Sequence, residues 1–524
     1  MANQSPPNDT QLVPIAFQPG IRRDGTKLET KSYRDGLWCR FFQGRPRKIG
    51  GYREITALGL DDVYSAHVYP RNDIGWTHMG SVDGVQQIQI SGNTGLGTAL
   101  IDRTPSAYST VTNGLWQFGS FYDDAAGTQS VQILGFVAPN LLSIDSDAVG
   151  TLYTGELTAS ALLTSITGAA VWPPANPGAE PNAPSVSGGF AVTQPFLFMF
   201  GSDGFVAWSD ENLPGVFGTR SAGNDRITDN KIVAAKPVRG SQVPSLLFWS
   251  LNSLIKATYS LGPTIFSFNT ITDETSILSS RSPVEANGIY YWPGIEHFVQ
   301  YDGVVRELPN NDNLDWFYSN LNWEYRQRVW SIKLPQWGEI WWCFPFGTAT
   351  ECTHAVIYNY RDNVWYDTEL PSGGRLGGYN GSVFKWPVMG CGSNKLWLQE
   401  FGQDKISGSA VAPIQSYYET ADIAYPTSGP MKQGWMGLDR RSKTMEIEPD
   451  FKDQVGDLTF TLKRREHAQT TSTIDTNYTA AVNQEKMQMN KTGRLNNIKV
   501  ESNVVGGFYQ AGEILLHVGP DDGR

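Results

Sequence analysis

Cys343, Cys352 and His354 are the residues best suited to hold a metal, since thiolate and imidazole are zinc ligands. The two cysteines face one another across a hairpin in this reading. No second ligand pair follows at zinc-finger spacing, so both are expected to be buried strand residues. Asn311-Asp312-Asn313 with Asp315 offers oxygen ligands but lacks the glycine and terminal glutamate of a calcium loop, and is read as a helix cap. His67 and His78 stand alone on strands, where packing or surface roles are expected. Gly92-Asn93-Thr94-Gly95-Leu96-Gly97 has neither the glycine spacing of a phosphate loop nor a following Lys-Ser/Thr. Neither His-Glu-x-x-His nor Gly-x-Ser-x-Gly is present. A carboxylate pair for glycoside hydrolysis could come from distant positions among the 52 acids, but spacing singles none out. The sequence thus points to no catalytic residue, metal site or cofactor, and the chain is read as a non-enzyme.

The elements around these residues are short strands. Ile289-Tyr290-Tyr291-Trp292, Phe298-Val299-Gln300-Tyr301, Glu339 to Phe344, Ala355 to Tyr360 and Val364-Trp365-Tyr366 are β-branched and aromatic runs. Turns such as Asp302-Gly303 separate them, which marks consecutive antiparallel hairpins. Units beginning at Phe196, Leu246, Ile289, Ile340 and Trp386 recur at intervals of 50, 43, 51 and 46 residues. That is the length of a four-stranded propeller blade, about 40–50 residues. One helix interrupts them over 312–328, with Asp312 as its cap and Asp315 at its positive end. Leu314, Phe317, Tyr318, Leu321 and Tyr325 share one face, and Arg326 and Arg328 suit the C-terminal end.

The 524 residues exceed what one core fills, and 54 Gly, 30 Pro and 12% aromatics indicate an all-β chain rich in turns. Residues 1–16 read as a flexible arm and 17–420 as a β-propeller closed through N-terminal strands. The stretch 146–187 reads as an irregular, proline-rich excursion from it. From 421 to 524 strict alternation, as in Leu458-Thr459-Phe460-Thr461-Leu462, predicts a small β-sandwich. No run of eighteen apolar residues could span a bilayer, and the opening residues lack the basic and apolar regions of a secretory signal. Four cysteines make no disulfide framework. Charge is uneven. Residues 1–56 hold ten Lys/Arg against five Asp/Glu, a net +5, residues 430–524 are neutral, and 57–429 carry −16. An acidic body disfavours a grip on nucleic acid.

Pro19-Gly20-Ile21, Arg23-Asp24-Gly25-Thr26 and Gly44-Arg45-Pro46 with Lys48-Ile49-Gly50-Gly51-Tyr52 form a dense N-terminal pattern. It resembles the "PGI-x-R-DGT" turn and "GRP-x-KIGG(Y/W)" return of podovirus tail-nozzle, or packaged-DNA-stabilisation, proteins. Trp208-Ser209-Asp210, Trp341-Trp342 with Val364-Trp365-Tyr366, Trp435 to Asp439 and Pro449-Asp450-Phe451-Lys452 are similar to the same family. The resemblance implies a structural virion protein of a short-tailed phage, made in the host cytoplasm. Copies would form a six-fold ring below the portal and adaptor. That ring would continue the DNA channel, retain the packaged genome, support fibres or spikes and come near the host envelope.

Within that reading, Arg22, Arg23, Asp24, Arg45, Arg47 and Lys48 are candidates for a basic surface docking onto an acidic adaptor or neighbouring subunit. The −16 of residues 57–429 would present a repulsive wall that DNA passes without specific binding. The alternative is a propeller that binds or cleaves glycans.

Overall fold

The computed structural model describes residues 11–520 except 16, 27–30, 58–61, 99, 107, 110–113, 126–128, 140–142, 167–185, 218–220, 261–263, 382–383, 393–394, 424–440 and 471–472. Six four-stranded antiparallel sheets follow one another, each ordered as in sequence, and a seventh unit lies within a six-stranded sheet that takes in an N-terminal strand. The first strands of successive blades are Ser65–Arg71, Gln117–Asp123, Gly189–Thr193, Ile232–Pro237, Val284–Ala286, Trp330–Leu334 and Gly377–Tyr379. The last of these packs back against the first, which closes the ring. The chain is an all-β propeller. Its seventh blade is completed by the N-terminal strand Tyr52–Ala57, which pairs antiparallel with Lys395–Gln399 so that Tyr52 lies opposite Gln399.

Tight turns set the strand registers. Asn72-Asp73, Asn287-Gly288 and Gln43-Gly44 each take positive φ at both positions, the twist that matches a two-residue hairpin. The repeat counted from sequence therefore starts at the second strand of each blade, as at Phe196–Phe200 and, after such a turn, Ile289–Pro293. These second strands are the most deeply buried. Every residue of Glu339–Pro345, Ser245–Ser250 and Phe196–Phe200 is buried, because both faces are covered by neighbouring blades.

The remaining strands form four sheets beside the propeller, one of them the two-stranded parallel pair Gln18–Ile21 and Ser32–Tyr33. Gln11–Ile15 pairs with Ile514–Pro520, so part of the segment read as a flexible arm is an edge strand; residues 1–10 lie outside the described residues. Asp35–Leu37 and Ser416–Glu419 join the sheet of Leu495–Ser502, Leu458–Arg465 and Ile474–Ala480. The hairpin Cys39–Phe42/Arg45–Lys48 joins Phe508–Ala511 and Phe451–Val455. Strands from both ends of the chain thus build the β-sandwich, and the boundaries drawn at 17 and 420 divide sheets that are continuous. The cores are continuous too, since Trp38, Phe41, Trp341, Tyr366, Ile498 and Leu516 belong to one cluster.

Two further expectations need correction. The stretch 146–187 is not irregular throughout, since Thr151–Glu156 and Thr164–Ser165 complete the second blade; 167–185 lie outside the described residues. The helix read over 312–328 is a seven-residue α1 (Leu314–Asn320) followed by a 3-10 turn, Trp323–Arg328. Leu321 between them is extended, at ψ 128°. Phe317 and Leu321 face the core as the periodicity requires.

Candidate functional site

The six residues singled out in the N-terminal segment lie along the seam between propeller and sandwich, and most are held there. Arg23 forms a forked pair with Asp367, Nε to Oδ1 at 3.0 Å and Nη2 to Oδ2 at 2.8 Å, and its Nη1 meets Asp35 at 2.8 Å. The Asp367 side chain is only 2% exposed, and burial outweighs its guanidinium partner, leaving the carboxyl above its ordinary range. Asp24 accepts the backbone N–H groups of Asp315 and Trp316 at the start of α1, while Arg22 donates to the Asp24 carbonyl at 2.9 Å. Asp312, read as the cap, instead offers its carbonyl to the N–H groups of Arg23 and Asp24; the N-cap position is Asn313. Lys48 is 1% exposed, donates to the Gly507 carbonyl at 2.8 Å and is pushed down by burial to about 8. Arg47 lies over the rings of Trp337, Phe42 and Phe508. Arg45 alone stays largely at the surface, paired with Glu513 at 2.7 Å. The segment is therefore not a free basic patch. Most of its charge is spent inside the molecule.

Glycines in the same pattern have steric reasons. Gly20 has φ +115°, and a Cβ there would sit 2.9 Å from the Trp365 carbonyl oxygen. At Gly51 a Cβ would fall 2.4 Å from the backbone of Asp404.

A buried charge cluster completes the seam. Arg40, 1% exposed, bridges Glu339 at 2.9 Å and Glu400 at 2.5 Å, with its guanidinium over Trp337. Glu339 also accepts from the Trp341 indole at 2.8 Å and the Tyr366 hydroxyl at 2.6 Å. Sequence reasoning passed over these residues. The available signal was a lone charge inside an apolar run, as in Trp38-Cys39-Arg40-Phe41 and Glu339-Ile340-Trp341.

A second concave feature is the central channel of the propeller, a cavity of about 310 Å³ lined from all seven blades. At its rim Arg281 donates to three backbone carbonyls, Tyr64 at 2.5 Å, Leu376 at 3.2 Å and Arg328 at 2.8 Å, tying four blades together. Beside it the Tyr64 hydroxyl donates to Glu351 at 2.9 Å, and Glu351 pairs with Arg328. His67 and His78 are strand residues in the first blade. Burial pushes His67 down to about 4 and His78 further, so both are neutral near pH 7. Cys343 and Cys352 are buried free thiols, the second donating to the Arg328 carbonyl, and His354 stacks on Phe346 at 4.1 Å.

No family model and no curated protein matches the chain. Among solved structures it is similar to the WD40 repeats of RRP9, at 10% identity and a TM-score of 0.37, over 67% of this chain and 99% of that one.

Proposed function

We propose that this chain is a structural virion protein of a short-tailed phage. Copies assemble as a hexameric tail-nozzle or hub ring below the portal and adaptor, continuing the DNA channel, retaining the genome and carrying fibres or spikes. The observation that supports this reading is the use made of the residues that carry the resemblance. Pro19 to Thr26 and Gly44 to Tyr52 join propeller and sandwich through Arg23–Asp367, Asp24–α1, Lys48–Gly507 and the close approach at Gly51. A wall that contains pressurised DNA needs such a unit, one in which neither body can rock against the other. The acidic stretch 57–429 suits a surface that DNA slides past, because each Lys or Arg contact to phosphate would add salt-dependent drag. Purification of infectious particles tests the reading. The chain should co-sediment with them at six copies per tail; a freely soluble protein that turns over glycans overturns it.

A further inference from the structure

We propose that the central channel of the propeller binds a small ring-bearing monocarboxylate, its carboxylate held by Lys236 and its ring lying against the aromatic wall. Three observations carry this. The cavity of about 310 Å³ falls at the lower end of the range of small-molecule pockets. Its wall includes the partly exposed rings of Phe118 and Tyr379, with Phe190 and the buried Trp116 and Trp330 behind, an apolar lining for a ring. Its charge is one-sided, since Lys236 and Arg281 line it and, among the described residues, no Asp or Glu does.

Lys236 lies on the innermost strand Ile232–Pro237, and among the described residues its side chain has neither a hydrogen bond nor an ion pair. Protein encloses its side chain, yet the residue keeps accessible surface, and the space open to it is the channel. Burial lowers its affinity for the proton with no carboxylate opposing that effect. An ammonium in such a place is costly to desolvate, and an incoming anion relieves that cost. The Arg281 fork is already occupied by backbone carbonyls, so it adds positive potential without offering a bidentate seat. A single point-charge donor suits a monoanion better than a phosphate, which draws on several donors.

Titration calorimetry on the full chain tests this, with benzoate and inorganic phosphate as probes and Lys236→Met and Lys236→Arg as variants. Benzoate should bind the wild type and K236R, and bind K236M at least tenfold more weakly. K236M should keep or raise the melting temperature, because it removes an ammonium that has no partner, so loss of binding is separable from loss of fold. Absence of benzoate binding by the wild type, equal binding by K236M, or tighter binding of phosphate than of benzoate overturns the proposal.

Discussion

Asp24 caps a helix that lies 291 residues further along the chain. Its Oδ2 accepts the N–H of Asp315 and its Oδ1 that of Trp316, both at 2.9 Å, whereas the residue at the N-cap position, Asn313, makes no side-chain cap bond. A short helix has few internal bonds to offset its unpaired N–H groups, so an external carboxylate contributes much of its stability. Asp24→Ala should therefore lower unfolding free energy by about 0.5–2 kcal/mol. Asp315→Ala, which removes only a charge near the positive helix end, should cost about 0.3–1 kcal/mol. Urea midpoints at constant slope would check the ranking, and equal effects would refute it.

Arg40 stands between two buried carboxylates. Arg40→Met leaves Glu339 and Glu400 unpaired and should destabilise by about 3–5 kcal/mol. Adding Glu339→Gln and Glu400→Gln removes the stranded charges and should recover about half of that loss. Chemical denaturation of the single and triple variants measures the recovery; a triple variant no more stable than R40M would show that packing alone holds the site.

Charge reversal along the N-terminal segment should not act uniformly. Arg23→Glu sets a negative group against Asp367 and Asp35 and should destabilise by about 3–5 kcal/mol. Arg45→Glu changes a half-exposed pair worth at most about 1 kcal/mol, so the fold should persist. Arg45 is thus the position at which assembly into particles can be tested without unfolding the chain. A melting temperature for R23E matching that of R45E would contradict this division.

Stability should fall in mild acid through the first blade. The imidazole of His67 lies at about 4 in the folded chain against an ordinary 6.5. Because the folded pKa is the lower one, the unfolded chain takes up the proton first. The stabilising contribution is complete above pH 6.5 and is lost as pH falls towards 4, on the order of 3 kcal/mol for this residue. His78 adds to the same trend. His67→Phe keeps the ring contact with Tyr379 while removing the titration, so its stability should fall less between pH 7 and pH 5. Parallel curves for wild type and variant would sink the argument.

Local pattern determined a good deal. Alternation, aromatic runs and Asn-Gly or Asp-Gly turns specify hairpins, because side-chain period and turn dihedrals are properties of a few neighbouring residues. The spacing of those hairpins made the propeller legible and closure through N-terminal strands expected, whereas the closing strand itself, Tyr52–Ala57, is defined by its pairing with Lys395–Gln399. Other features were settled only by tertiary structure. Gln11–Ile15 looks like an arm until Ile514–Pro520 supplies its partner, and backbone hydrogen bonds to a remote strand leave no trace in local composition. α1 is shorter than its periodicity because Leu321, although packed in the core, takes an extended backbone that ends the helix, and the chain resumes only as a 3-10 turn. Arg23, Asp24 and Lys48 read as surface charge because charge in a sequence carries no information about its surroundings. Whether a guanidinium meets solvent or a buried Asp367 depends on which blade folds against it.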